Sequence, residues 1–225
     1  MTLPTLRLQD GTAIPVVGFG TGTAWYKEDP NEPFNRGLVE ILKATINRGF
    51  RHIDGSDAYG TEEEIGVAIK ESEVSREEIF VTAKVLEGIN DVPAAIKPAL
   101  NQLEFHPYLQ RAHGYLPWMR ENGIEVASFN GLTPIRSGSP GPLDEPLARI
   151  AKAHGVSENA VLIKWQIEQR VVPVTTTTKG GRMAEYMEAV DLELEPEEIE
   201  EITKIGLTHH FRAWAPDRFD PDNRS

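Results

Sequence analysis

The chain has 225 residues, a formal net charge of −12 and a sequence pI near 5.0. Such a negative field disfavours nucleic acid and anionic membranes as partners, and the absence of cysteine excludes disulfides, thiolate-ligated metals and a cysteine nucleophile. The length suits one domain over residues 1–225. No charged region followed by an apolar run opens the chain and no apolar window could span a membrane, so we expect a cytoplasmic protein.

Strands and helices alternate after a hairpin turn at Asp10-Gly11. The predicted strands occupy residues 16–21, 50–54, 79–85, 101–106, 124–130 and 171–178. Of the helices between them, one opens with a Thr61/Glu64 capping box, and another breaks at Gly155 and is capped again by Ser157. Six βα units predict a parallel sheet covered by helices, either an open doubly wound sheet or a (β/α)8 barrel.

The glycine pattern argues against the doubly wound sheet. "GFGTGTAW" contains G-x-G but lacks the third glycine in register, and the turn region Ala24 to Asn31 is too long for a dinucleotide-binding motif. We therefore favour a barrel, in which functional groups collect at the C-terminal ends of the strands.

Three polar residues fall at such strand ends. Asp54 closes the second strand, Tyr59 follows it in the loop "GSDAYG", and Lys84 lies near the end of the third strand. A lysine cation beside a phenol favours the phenolate, and a carboxylate can hold the lysine, so the three together would form a tunable general acid. Singly, each also fits a structural role: a loop acid, a half-buried packing residue and a solvated strand-end charge.

The motifs "GFGT", "FRHIDGSDAYG", "IFVTAKV" and "NQLEFHPYLQ" resemble the aldo-keto reductases, and the resemblance covers essentially the whole chain. "VPVTTTTKGGRMAEY" and the "FRAW" tail are most similar to fungal reductases of ketones and conjugated polyketones. The resemblance implies an α/β (β/α)8-type TIM barrel with an N-terminal hairpin. It also implies reduction of aldehydes or ketones to alcohols, as in NADP+-dependent alcohol dehydrogenases, with hydride from NADPH and a proton from a tyrosine.

The resemblance assigns expected roles to individual residues. Tyr59 matches the proton donor, Lys84 its partner, and Asp54 the partner of the lysine. The residues matched to cofactor contacts are Thr21, Gly22, Asp54, Gln102, Phe129, Asn130, Gly131, Leu132, Thr176, Thr177, Arg182 and Glu185. Phe129 replaces the tyrosine that stacks on the nicotinamide, which keeps the π-face and loses a hydroxyl.

The adenosine end and the substrate pocket complete the expected site. Arg182 would pair with the 2′-phosphate, whereas Thr176 replaces a lysine of many relatives, so we expect NADP(H) preference with less margin over NAD(H). Trp25 and Trp214 would wall an apolar pocket for a small-molecule carbonyl substrate. His106 matches a structural histidine of the family, and no metal site is expected.

The chain departs from the family at the Leu100/Asn101 junction, where a predicted helix over residues 91–100 runs into a strand without a turn. The fourth and fifth βα units, about 60 residues, are missing there. With them go the histidine that orients the substrate carbonyl and a Ser-Asn pair that holds the carboxamide. Losing two strands predicts either open sheet edges that favour self-association or a six-stranded closure.

The shortened chain leaves two alternatives to a working reductase. One is a catalytically impaired homologue that acts as a cofactor-binding or regulatory protein. The other is a chain that does not fold stably alone.

Overall fold

A six-stranded parallel sheet forms the centre of the molecule. The computed structural model describes residues 3–9, 11–29, 32–84, 100–111, 114–216 and 224, without the side chain of Asp57. An antiparallel hairpin precedes the sheet and is formed by β1 (Thr5–Arg7) and β2 (Ala13–Pro15). The strands of the sheet are β3 (Gly18–Gly20), β4 (His52–Asp54), β5 (Phe80–Thr82), β6 (Leu100–Glu104), β7 (Glu125–Phe129) and β8 (Val171–Thr175). Their spatial order is β5-β4-β3-β8-β7-β6, so the predicted shortened barrel with six units is confirmed.

Helices follow β3, β4, β6, β7 and β8 among the described residues. They are α1 (Gly22–Trp25), α2 (Arg36–Asn47), α3 (Glu62–Glu71), α4 (Tyr115–Glu121), α5 (Asp144–His154), α6 (Glu158–Glu168), α7 (Gly180–Asp191) and α8 (Pro196–Leu207). The predicted break between two of them is confirmed, because Gly155 ends α5 at φ 68° and Ser157 caps α6 by accepting the Ala160 N–H. None of these helices has both the length and the apolar character needed to cross a membrane.

The predicted capping box at the start of α3 is wrong. Thr61 occupies the N-cap position, but its hydroxyl shares a hydrogen bond with Thr21 Oγ1 at 2.9 Å and makes no capping bond. Glu64 is fully buried and binds Lys27 Nζ and the backbone N–H of Asn35, both at 2.7 Å. The local pattern was overridden because both side chains found partners in distant segments.

The prediction that the helix extends through Leu100 is also wrong. Leu100 begins β6 and pairs with Glu125 of β7, since the sheet offers its backbone a ladder partner. The rest of that predicted helix, residues 91–99, lies outside the described residues. β5 and β6 are the two ends of the strand order, and no pairing joins them among the described strands. Self-association through these edges stays a prediction.

The interior of the curled sheet is layered. The layer towards the N-terminal ends of the strands is apolar and packs against the N-terminal hairpin. The members are Leu8, Ile14, Ala127 and Val172, packed with Leu6, Phe80, Leu100 and Val174. Polar side chains replace these residues towards the C-terminal ends of the strands, so the polar groups that could take part in a reaction lie at that end.

Candidate active site

The central contact of the site joins the end of β4 to the segment that follows β5. Asp54, the last residue of β4, accepts a hydrogen bond from Lys84 Nζ at 2.6 Å, and the same ammonium donates to the Gly55 carbonyl at 3.0 Å. The Asp54 side chain is 5% exposed and the Lys84 side chain 30% exposed. The carboxylate therefore fixes a half-exposed cation at the rim of the sheet.

Tyr59 lies next to that cation in a short 3₁₀ turn, Asp57–Tyr59. Lys84 Nζ is 5.0 Å from the centre of the Tyr59 ring. Gly22 faces the ring so closely that a Cβ there would lie 2.8 Å from Tyr59 Cζ. The structure thus brings Asp54, Tyr59 and Lys84 together, as the strand-end positions predict.

Burial raises the pKa of the Asp54 carboxyl, and the opposing effects of the Lys84 cation and the Gln102 amide do not cancel it. Gln102 belongs to β6, which lies at one end of the strand order, whereas β4 is the second strand from the other end. Gln102 and Asp54 nevertheless line the same cavity, so the shortened sheet curls far enough to bring β6 across to β4. Gln102 therefore lies near the acid cluster, by which we mean Asp54, Tyr59 and Lys84. Its contact with the carboxamide of a cofactor stays a prediction.

The loop after β7 is fixed by its own hydrogen bonds. Asn130 has a left-handed φ of 56°, and its carbonyl accepts the Thr133 hydroxyl at 2.7 Å. Its side-chain amide donates to Glu104 Oε1 at 3.3 Å. Directly before this loop, the Phe129 ring meets the Trp214 ring edge-on, with centroids 6.2 Å apart.

A cavity of about 860 Å³ opens over these residues. The predicted site residues that line it are Gly22, Asp54, Tyr59, Lys84, Gln102, Phe129, Asn130, Gly131, Leu132, Thr176 and Trp214. The predicted site residues that do not line it are Thr21, Trp25, Thr177, Arg182 and Glu185. The structure therefore gathers the catalytic candidates and the residues matched to the nicotinamide and the pyrophosphate.

The other predicted residues hold neighbouring parts of the fold. The buried Thr21 hydroxyl donates to the Asp54 carbonyl at 3.2 Å, which ties the end of β3 to the end of β4. Trp25 packs against Phe19, with ring centroids 5.8 Å apart. The Thr177 hydroxyl accepts the Lys179 N–H at 3.1 Å.

Two predicted contacts of the adenosine end lie on α7, beyond the cavity wall. Glu185 accepts a hydrogen bond from Asn159 Nδ2 at 2.9 Å, and Arg182 is half-buried in the first turns of the helix. Their roles stay predictions.

Sequence reasoning missed the residue that fastens the C-terminal tail to the site. The buried Glu104 carboxylate accepts the backbone N–H groups of Ala213 at 2.9 Å and Trp214 at 3.1 Å. Burial opposes ionisation, but the nearby His106 ring and the two tail N–H groups leave the pKa of Glu104 lowered. Ala213 and Trp214 lie 109 and 110 positions along the chain from Glu104, and no local sequence pattern predicts contacts over such separations.

Three arginines of the cavity wall were also missed: Arg111, Arg136 and Arg212. Arg136 follows the loop after β7, so its position just beyond a strand end was a usable signal. The other two come together only through the tail.

Histidine is absent from the described residues that line the cavity. His106 is fully buried, with Nε2 3.5 Å from Glu104 Oε1, and burial lowers its pKa. This position fits the structural role that the resemblance implied. Nor do the described residues include a group of three or more His, Asp or Glu side chains placed to hold a metal.

The model of the aldo/keto reductase family matches residues 16–95 and 87–206, in two segments. The chain belongs to this family. The aldo/keto reductase match covers most of the chain, including both halves of the sheet.

Two yeast reductases illustrate what the chain is similar to. The chain is 28% identical to an NAD/NADP-dependent indole-3-acetaldehyde reductase of Schizosaccharomyces pombe, over 91% of this chain and 96% of that protein. It is 26% identical to an NADPH-dependent alpha-keto amide reductase of Saccharomyces cerevisiae, over 90% of each.

The first of these alignments also reveals a gap. It spans 273 positions, whereas 91% of this chain amounts to about 205 residues, so about 68 residues of the relative have no counterpart here. That number is close to the length of two βα units.

Solved aldo/keto reductases share the fold. An enzyme from a Medee basin deep-sea metagenome library superposes with a TM-score of 0.77 at 22% identity, over 97% of this chain and 98% of the other. A Brucella melitensis aldo/keto reductase gives a TM-score of 0.71 at 22% identity, over 91% and 100% of the two chains. The shortened sheet therefore keeps the family's architecture.

Proposed function

We propose that this aldo/keto reductase reduces aldehydes or ketones to alcohols with NADPH, and that Tyr59 is the general acid. The observation that carries the proposal is the contact between Asp54, Lys84 and Tyr59 on the wall of a cavity that the aromatic ring of Phe129 also lines. A structural ion pair alone would not require a phenol packed against its cation.

The three residues divide the proton chemistry among them. The Asp54 carboxylate holds the Lys84 ammonium, and the ammonium stabilises negative charge on Tyr59 after the phenol has given up its proton. Gly22 permits the close approach of the ring because it has no side chain. The proton passes from the Tyr59 hydroxyl to the oxygen of the reduced carbonyl.

The residues on the cavity wall fit a nicotinamide dinucleotide. Phe129 offers a flat ring, the loop after it carries Asn130 to Leu132, and guanidinium groups stand at the wall to meet phosphates. When bound, NADPH supplies the hydride. The relatives named above, an NAD/NADP-dependent and an NADPH-dependent reductase, support a nicotinamide cofactor.

The missing βα units lower the rate we expect. The fourth unit of the family carries a histidine that donates to the carbonyl oxygen, and no described residue of the cavity wall replaces it. Loss of one such donor commonly costs about 10²–10³ in turnover. The same observation supports the second candidate function, a homologue that binds the cofactor without useful turnover.

Two phenol-to-phenyl variants test the proposal. We expect Tyr59→Phe to lower kcat for benzaldehyde reduction by about 10²-fold or more while leaving the NADPH dissociation constant within about twofold. Tyr26→Phe is the matched control, because Tyr26 meets the Tyr59 ring edge-on at 6.1 Å and is 52% exposed.

Each outcome decides between the candidates. Turnover that falls only in Tyr59→Phe supports the reductase. NADPH binding with no turnover in the unmodified chain favours the binding protein, and equal turnover in both variants refutes the role of Tyr59.

A further inference from the structure

Glu64 is a fully buried carboxylate in the first turn of α3, and it does not belong to the cavity wall. Its Oε1 atom accepts one hydrogen bond from Lys27 Nζ and another from the backbone N–H of Asn35, both at 2.7 Å. Burial opposes ionisation, but these two donors leave the pKa of Glu64 lowered. The fold therefore holds a charged carboxylate in its interior, where it pairs with a lysine side chain that is 12% exposed.

Stability gives little reason for this ion pair. Apolar residues of similar volume in place of a buried ion pair often leave a protein equally stable or make it more stable, because the loss of hydration cancels much of the attraction. The start of α2 does not depend on Glu64 for its cap either, since Asn35 Oδ1 accepts the Leu38 N–H at 3.1 Å. What distinguishes the pair is the part of the chain that its lysine contacts.

Lys27 contacts the turn that carries Tyr59 at two points. The backbone N–H of Lys27 donates to the Tyr59 carbonyl at 3.2 Å. The stem of the lysine side chain lies against the next residue, because a Cβ added to Gly60 would be 3.2 Å from Lys27 Cδ. The lysine thus meets both residues of the peptide that follows the phenol.

The contacts of Lys27 fix the backbone end of Tyr59, whereas other groups fix its phenol end. At the phenol end, Gly22 packs against the ring and the Lys84 ammonium lies 5.0 Å from the ring centre. At the backbone end, the Tyr59 carbonyl is held by Lys27, and Lys27 is held in turn by Glu64. Release of the backbone end would let the ring shift relative to its two partners at the other end.

We propose that Lys27 and Glu64 are positioning residues for Tyr59, and that their buried ion pair sets where the phenol hydroxyl lies relative to the carbonyl substrate. The proposal rests on the proposed reductase function, in which Tyr59 is the general acid. Neither Lys27 nor Glu64 lines the cavity, so neither takes part in the proton transfer itself. A misplacement of about 1 Å can cost about 10²-fold in rate, and we expect loss of the pair to lower kcat about tenfold.

Two variants separate positioning from stability. Lys27→Met leaves the Glu64 charge buried without its cation and should lower both Tm and kcat for benzaldehyde, with an unchanged NADPH dissociation constant. The double variant Lys27→Met/Glu64→Leu replaces both charges by apolar side chains and should recover the Tm, whereas kcat should stay about tenfold low because the lysine has lost its anchor. Recovery of kcat together with Tm overturns the proposal, since the pair would then only stabilise the fold.

Lys164→Met is the matched control for Lys27→Met. The Lys164 side chain is 13% exposed and pairs with Glu168 at 2.8 Å on α6, and it does not line the cavity. This variant removes a similarly covered cation from an ion pair and should leave kcat unchanged. An equal loss of kcat in Lys164→Met would overturn the proposal, because the effect would not be specific to the pair beside Tyr59.

Fluorine NMR follows the phenol without requiring turnover. In the chain labelled with fluorotyrosine, the resonance of Tyr59 is the one of five tyrosine resonances that Tyr59→Phe removes. The double variant should displace this resonance and Lys164→Met should not. If a melting curve shows that the double variant does not fold, Glu64→Gln, which keeps the shape and loses the charge, takes its place in the comparison. An undisplaced resonance overturns the proposal.

The two readouts separate this proposal from the proposed function. A displaced resonance in a chain that reduces no benzaldehyde would refute the reductase function and leave the positioning of the phenol standing. Turnover that the pair variants retain in full would refute the positioning and leave the reductase function standing.

Discussion

Replacing Gly22 by alanine should slow the reaction without unfolding the protein. The added Cβ would lie 2.8 Å from Tyr59 Cζ, whereas ordinary contacts begin at 3.4 Å, so the ring must retreat by about 0.6 Å. A misplacement of about 1 Å can cost about 10²-fold in rate. We therefore expect kcat to fall about tenfold.

Stability should change little in this variant because the clash involves the far end of a side chain. Alanine also restricts the unfolded chain, which stabilises by about 0.4–1 kcal/mol where the backbone permits it. The assay is kcat with saturating NADPH and benzaldehyde, together with a melting curve for each variant.

Gly66→Ala is the control for Gly22→Ala. An added Cβ at Gly66, inside α3, meets nothing within 4 Å, so this variant should keep kcat and gain about 0.5–1 kcal/mol. The reasoning is refuted if Gly22→Ala keeps kcat within twofold of the unmodified chain.

Three further predictions concern charged and titrating groups. Lys84→Met should lower kcat at least about 10²-fold, because Asp54 loses its cation and Tyr59 its partner; an unchanged kcat would contradict this. Burial and the Lys84 cation lower the pKa of His52 to about 3. Its contribution to stability is therefore complete above about pH 6.5 and should fall by about 1.4 kcal/mol per pH unit below it, a slope that urea unfolding would detect and His52→Gln should flatten. Glu104→Gln should release the tail and speed trypsin cleavage after Arg212, since two charge-assisted bonds to backbone N–H groups weaken; unchanged cleavage would count against the fastening role.

The acid cluster was predictable because it follows from local rules. Asp54 ends β4, Lys84 lies two residues beyond the end of the neighbouring strand β5, and parallel strands bring their C-terminal ends to one edge. Phe129 at the end of β7 and the loop Asn130 to Leu132 after it were expected from the resemblance to the aldo-keto reductases. The predicted helix cap at Ser157 is also confirmed, because a cap depends only on residues close to it along the chain.

The remainder depends on contacts between distant segments. The approach of Gln102 to Asp54 follows from how far a six-stranded sheet curls, which no local pattern specifies. Glu104 meets the tail across 109 residues, and that contact brings Arg212 to Arg111. The Thr61/Glu64 pattern failed for the same reason, because Lys27 and Asn35 offered Glu64 better partners than its own helix.

Transfer of isotope from the cofactor tests the central claim most directly. The purified chain is incubated with benzaldehyde and NADPH in which both hydrogens at C4 of the nicotinamide are replaced by deuterium, and the alcohol is analysed by mass spectrometry. The proposed function predicts benzyl alcohol with one deuterium on its carbinol carbon, formed faster than without protein and at least about 10²-fold more slowly by Tyr59→Phe. Bound NADPH with no labelled alcohol above the protein-free control would contradict it.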